Sequence, residues 1–235
     1  MNNQFDRIKT LISEEKFNKL QQINICVVGI GGVGGYVCES LARSGVNKLT
    51  LIDFDTICNT NLNRQIIALH STIGKSKVNV MKERILDINP NCNVETYDIF
   101  LDDNTFNTID FTQFDYVADA IDSVNSKIML IKYCKENNIP IISSMGTGNK
   151  LDPTKLKITD ISKTCYCPLA KKVRNILEEL DIKKVKVLFS TETTSNTYIE
   201  EDDKIIPSSI ITIPAIAGLM IANKIIMEII NTDNE

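Results

Sequence analysis

The run Ile25-Cys-Val-Val-Gly-Ile-Gly-Gly-Val-Gly34 decides the fold. Ile25 to Val28 reads as a buried strand. Gly29, Gly31 and Gly34 then fall at G-x-G-x-x-G spacing, with Gly32 among them, and Tyr36 to Ser44 continues as a helix stopped by Gly45. Strand, glycine turn and helix in that order make an anion site. Glycine lets the backbone approach a phosphate closely, and the free amides at the helix start attract negative charge. Lys48 to Asp53 reads as the next strand, parallel to the first, and it brings Asp53 and Asp55 to where a ribose hydroxyl is expected. These features predict a nucleotide binder, and the glycine spacing alone suits NAD, FAD or ATP.

Working outward, Gln4 to Gln22 is amphipathic and reads as a helix or helix pair covering the domain. Lys75 to Ile88 is a helix ended by Pro90. Val94 to Tyr97, Tyr116 to Ile121 and Pro140 to Ser143 are strands, the last two separated by a helix over Lys127 to Asn137. This alternation predicts an α/β fold with a doubly wound sheet. A helix over Pro168 to Leu180, a strand over Val185 to Ser190, an acidic loop with Glu200, Glu201, Asp202 and Asp203, and a long apolar helix from Pro214 onward complete the chain. One continuous domain over 1–235 is expected.

The 235 residues carry 26 Lys+Arg against 30 Asp+Glu, a net charge of -4, with 43% hydrophobic residues. That balance excludes wholesale disorder and a generally basic nucleic-acid coat. The longest uncharged apolar stretch, Ile205 to Asn223, is interrupted by Pro207 and Pro214, so no stable membrane span is expected. The final helix, with Ile216, Leu219, Met220, Ile225, Ile226 and Ile229, reads as a packing or dimer surface. The N-terminus lacks the basic-then-apolar pattern of a secretory signal, which points to the cytoplasm. Seven scattered cysteines without a C-x-x-C pair fit reduced thiols rather than a disulfide framework.

The segments beyond the second strand narrow the nucleotide. Asp53-Phe-Asp-Thr-Ile-Cys-Asn-Thr-Asn-Leu-Asn-Arg-Gln65, Gly74-Lys-Ser-Lys77, Arg84-Ile-Leu-Asp-Ile-Asn-Pro90 and Asp119-Ala-Ile-Asp-Ser123 stand in the order of the ubiquitin-activating, ThiF and MoeB superfamily of adenylating enzymes, which the chain resembles. The resemblance implies a Rossmann-like, mostly parallel sheet with an antiparallel C-terminal extension. Residues 1–150 would form the nucleotide-binding part, and 151–235 the substrate-binding and dimerisation part. It further implies ATP and Mg2+, with Asp53 or Asp55 on the ribose, Asn61, Arg64 and Lys77 on the phosphates, and Asp122 on the metal. Arg7, in Phe5-Asp-Arg7, is similar to an arginine that reaches the neighbouring subunit's ATP site, which implies a homodimer.

Within the superfamily the chain most resembles the tRNA threonylcarbamoyladenosine dehydratases. Ser144-Met-Gly-Thr-Gly-Asn-Lys-Leu-Asp-Pro-Thr154, Asp160-Ile-Ser-Lys-Thr164, Cys167-Pro-Leu-Ala170 and Phe189-Ser-Thr-Glu192 carry this likeness. It implies adenylation of the threonyl carboxylate, followed by ring closure from its own carbamoyl group with loss of AMP. An intramolecular nucleophile needs no enzyme thiol. A monovalent cation and a sulfur-transfer protein partner are further implications of the resemblance. One alternative is an activase for the C-terminal glycine of a ubiquitin-like sulfur carrier. Such relatives usually hold zinc in two C-x-x-C pairs, and only Cys165-Tyr-Cys167 is present here. Another is a nucleotide-binding module that has lost turnover, because Ile67 stands where the family's Asn-Arg-Gln-Ile-His has histidine, and the sole histidine is His70. For a tRNA partner, Lys163, Lys171, Lys172, Arg174, Lys183, Lys184 and Lys186 outnumber Glu178, Glu179 and Asp181, a local basic patch on an acidic body.

Overall fold

Alternate residues of the first strand serve two different cores. In the computed structural model, which describes residues 3–193, 198–201 and 204–232, β1 (Asn24–Val28) sends Ile25 and Val27 to one apolar cluster and Cys26 and Val28 to another. This period of two is what a strand buried on both faces requires. Around it lie β2 (Lys48–Ile52), β3 (Asn93–Tyr97), β4 (Tyr116–Asp119), β5 (Ile141–Ser144), β6 (Leu156–Asp160) and β7 (Lys186–Ser190). The spatial order is β3-β2-β1-β4-β5-β7-β6, parallel throughout except that β6 runs antiparallel to β7. The predicted doubly wound sheet with an antiparallel extension is thus present.

Helices α3 (Gly34–Arg43), α4 (Lys77–Ile88) and α7 (Thr212–Asn231) bury Leu41, Met81 and Ile221 in the first cluster. On the opposite face α5 (Val124–Glu136) and α6 (Pro168–Glu179) bury Leu130 and Val173 in the second. Each such side chain taken out of water contributes about 1.5–3 kcal/mol. The amphipathic N-terminus resolves into a helix pair, α1 (Asp6–Ile12) and α2 (Glu14–Gln22), with Phe17 and Leu20 of α2 buried.

Several boundaries differ from those expected. α3 begins at Gly34, two residues before Tyr36, and β4 ends at Asp119, leaving Ala120 and Ile121 in a turn. α5 begins at Val124, so Lys127 falls within its first turn. The acidic stretch is a correction. Glu200 and Glu201 lie in β8 (Tyr198–Glu201), which pairs antiparallel with β9 (Lys204–Pro207) instead of forming a loop. Asp202 and Asp203 lie outside the described residues. Pro214 does not interrupt α7, because it sits in the first turn, where no backbone N–H is demanded. By length and composition α7 can span a bilayer, yet half of its most apolar stretch is buried inside the protein.

The C-terminal half of α7 is tied to the sheet by Glu228. Its carboxylate accepts from the Tyr116 hydroxyl at 2.7 Å and from the ammonium groups of Lys186 and Lys224. Burial pushes its carboxyl upward, but Lys186, Tyr116 and Lys224 outweigh that and hold it below the ordinary 4.5. A depressed folded value gives stability that is present above the unfolded value and lost as pH falls through the folded one. Glu228→Gln is therefore expected to cost about 1–2 kcal/mol at pH 7. In thermal melts its deficit from wild type should be constant above about pH 5 and close as the pH drops below 4.5.

Candidate nucleotide crevice

β1 has β2 on one side and β4 on the other, so the connections leave it in opposite directions and open a crevice at the carboxyl ends of the strands. A cleft of about 370 Å³ lies there. The glycine turn forms its floor. Gly29 takes φ +88, and a side chain on it would strike the Ala120 carbonyl at 2.6 Å, while a Cβ on Gly34 would lie 1.8 Å from the Gly29 oxygen. Gly31 and Gly32 line the cleft itself. α3 starts at Gly34, and the amides of Gly35, Tyr36 and Val37 are already bonded to the Gly31 and Val33 carbonyls, so the amides offered to a phosphate are those of the glycine turn just before it.

Asp53, Asp55, Asn61, Arg64, Lys77 and Asp122 all line the same cleft. Asp53 follows β2 and is turned toward the glycine loop. Its Oδ2 accepts the Ile30 amide at 2.6 Å, and its Oδ1 accepts that of Asp55 at 2.9 Å. Burial pushes its carboxyl up, opposed by Lys77 and these amides. Lys77 opens α4 and is 5% exposed, with its ammonium on the carboxylate of Asp55. Asn61 ends a short 3-10 turn (Asn59–Asn61), its Oδ1 accepting the Cys58 amide at 3.3 Å. The guanidinium of Arg64 donates to the Thr60 carbonyl at 2.6 Å and to Asn63 at 3.0 Å. Asp122 is exposed on the turn after β4, without a hydrogen bond or ion pair among the described residues.

The donor set suits a magnesium ion shared with phosphates. Mg2+ is commonly held by one or two carboxylates together with substrate oxygens and water, and no cluster of three or more His, Cys, Asp or Glu ligands occurs among the described residues.

Arg7 is not brought to the crevice of its own chain. It is exposed on α1 and absent from the lining. His70 is exposed and also outside the lining, whereas Ile67 is 2% exposed within the first core cluster. All seven cysteines are free, and burial pushes the thiols of Cys26 and Cys38 up and those of Cys92 and Cys134 up to about 12, which makes poor nucleophiles. The basic patch is smaller than the sequence count. Arg174 binds Thr164, Lys183 pairs with Asp181, and Lys186 serves Glu228 at another edge, leaving Lys163, Lys171, Lys172 and Lys184 exposed.

Three features of the crevice were not read from the sequence. Gln65 lines it, nearly buried, and its Oε1 has no partner among the described residues. Its place beside Arg64 in the motif was the available signal. Phe54 and Phe100 meet edge to face at 4.8 Å on the rim, far apart in sequence and with no shared periodicity. Pro207, the last residue of β9, and Ser209 just beyond it join Thr147 and Gly148 on the opposite lip.

Comparison with known proteins agrees with this geometry. A tRNA threonylcarbamoyladenosine dehydratase of Bacillus subtilis is 42% identical over 245 residues, covering 98% of this chain and 96% of the relative. The crystal structure of the E. coli tRNA N6-threonylcarbamoyladenosine dehydratase in complex with ATP superposes with a TM-score of 0.86 at 36% identity, covering 96% of this chain and 93% of that one. A molybdopterin-synthase adenylyltransferase of Haemophilus influenzae is 36% identical over 125 residues, 53% of this chain and 51% of its own length. The ThiF family profile matches residues 5–235. With its glycine turn, strand-end acids and paired lysine in one crevice, the chain belongs to the ThiF family.

Proposed function

We propose that this protein is an ATP-dependent dehydratase that closes the ring of threonylcarbamoyladenosine in tRNA. The observation that carries the reading is the convergence of the glycine turn, Asn61, Arg64, Lys77 and Asp122 on one crevice. Its likeness to dehydratases over nearly the full chain supports that substrate over a sulfur carrier. A carboxylate oxygen of the threonyl group attacks the α-phosphorus of ATP, and the bond to the β-phosphate breaks to release pyrophosphate. The carbamoyl nitrogen or oxygen then attacks the activated acyl carbon, and AMP leaves. One water is lost overall.

Each residue has a task in bringing anions together. The amides of the glycine turn cradle phosphate oxygens. Asp53 holds the turn and, with Asp55, faces the ribose. The triphosphate competes with Asp55 for the Lys77 ammonium, which stabilises charge developing at the reacting phosphorus together with Arg64. Mg2+, held by Asp122 and phosphate oxygens, would neutralise part of the triphosphate charge. Residues 1–150 would serve the nucleotide and 151–235 the substrate and dimer contacts, with Lys163, Lys171, Lys172 and Lys184 facing tRNA phosphates in the cytoplasm. Nucleoside mass spectrometry after incubating modified tRNA with the protein and ATP tests the reading. Loss of one water from threonylcarbamoyladenosine is expected. Pyrophosphate exchange only with a protein ending in Gly-Gly would instead favour the carrier-activating alternative, and no exchange at all a lapsed module.

The same reading makes the enzyme a homodimer. Leu219 and Met227 are exposed on α7, and Arg7 lies outside its own crevice, as an arginine serving a second subunit would. Arg7→Ala and Lys77→Ala are each expected to be inactive alone. When mixed and re-equilibrated they should regain about a quarter of wild-type turnover, since a statistical mixture contains about half heterodimers, each with one intact site. No recovery in the mixture would remove Arg7 from the site.

A further inference from the structure

The most deeply buried ion pair among the described residues lies just behind the crevice, and the adenylation chemistry gives it no task. Lys127 and Asp119 are closed to solvent, as is Ser143 beside them. The Lys127 ammonium donates to Asp119 Oδ2 at 2.7 Å, to Ser143 Oγ at 3.0 Å and to the Ser144 carbonyl at 3.1 Å, which uses its three protons. The Asp119 carboxylate also accepts from the Ser143 hydroxyl and, through Oδ1, from the Ile121 amide at 3.0 Å. A buried ion pair gives little net stability, because desolvation offsets the attraction, and apolar side chains of similar volume commonly do as well. What apolar packing cannot supply is directed bonds to chosen backbone groups.

Those bonds reach the two turns that frame the crevice. Asp119 closes β4, and the next three residues, Ala120, Ile121 and Asp122, line the cleft, with the Ala120 carbonyl against Gly29. Ser144 closes β5, and Thr147 and Gly148 line the other side. Lys127, in the first turn of α5, bridges the two strand ends. We propose that Lys127 is a positioning residue, its ammonium tying Asp119 to Ser143 and Ser144 so that the 120–122 and 145–148 turns stand at the separation that MgATP requires. The proposal rests on the nucleotide reading of the crevice, not on the identity of the acceptor.

Lys127→Met alone strands a buried carboxylate and is expected to unfold much of the protein. The informative variant is Asp119→Asn/Lys127→Met. It leaves no buried charge, keeps an acceptor for the Ile121 amide and removes the bridge to Ser144. Its melting temperature is expected within about 5 °C of wild type, while MgATP affinity, measured by calorimetry without tRNA, falls about tenfold. A loss of less than about fivefold in the folded variant would overturn the proposal. If that variant does not fold, Ser143→Ala decides the matter. Affinity weakened about threefold or more at unchanged melting temperature supports the bridge, and any smaller change overturns it. Failure of wild-type protein to alter modified tRNA would sink the substrate reading and leave these affinities decisive here.

Discussion

Lys77→Met is expected to slow pyrophosphate release by about 10²–10³-fold, and Asp122→Ala by a similar factor, with both proteins folded. The two positions test the crevice from opposite sides. Lys77 is buried at the start of α4, so its ammonium works in a desolvated setting where one charge-stabilising contact is worth about 2.7–4 kcal/mol in the transition state. Methionine fills the volume of its stem. The partner left behind, Asp55, has a side chain 46% exposed. The more deeply set Asp53 also loses the Lys77 charge but keeps its bonds from the Ile30 and Asp55 amides. A stability loss of about 1–2 kcal/mol is therefore expected, and the protein stays folded. Asp122 is exposed and unbonded among the described residues, and its removal should alter stability by no more than about 0.5 kcal/mol. Single-turnover pyrophosphate release beside thermal melts separates chemistry from folding. Wild-type rates in either variant would place the adenylation chemistry elsewhere.

The contrast between these residues and Lys127 marks what a sequence can carry. The nucleotide crevice was legible because its parts are local. The strand and glycine turn need only ten consecutive residues, and Asn61, Arg64 and Lys77 come after them in one short segment. Lys127 was illegible because its partners are set by tertiary contact. On a helix otherwise marked by apolar periodicity, a lysine reads as solvated, and only the register that places Ser143 beside Asp119 across β4 and β5 buries it. The acidic stretch failed for a related reason. Glu200 and Glu201 carry turn-like composition, yet they pair with Ile205 and Lys204, and pairing across a hairpin outweighs local preference. Arg7 marks another limit, since it lies outside the crevice of its own chain and only the proposed second copy would give it a place there.

Gly34→Ala should be the most damaging single-methyl change in the protein. The new carbon would sit 1.8 Å from the Gly29 carbonyl oxygen, where no rotamer or small shift relieves the overlap, because the oxygen belongs to backbone. Gly29 cannot retreat freely. It holds φ +88, its amide is bonded to the Ile52 carbonyl at 2.8 Å, and its open side faces the Ala120 carbonyl. The clash must therefore displace either the start of α3 or the end of β1, and each movement carries the phosphate-facing amides out of place. A loss of about 3 kcal/mol or more is expected in denaturant unfolding, together with ATP binding too weak to measure. Gly31→Ala is the control. It lies in the same turn, but a methyl there meets nothing closer than 3.8 Å, at the Gln65 amide, so the fold should hold and only the nucleotide feel the change. If Gly34→Ala bound ATP as wild type does, the tight passage from β1 into α3 would not be the element that shapes the phosphate site.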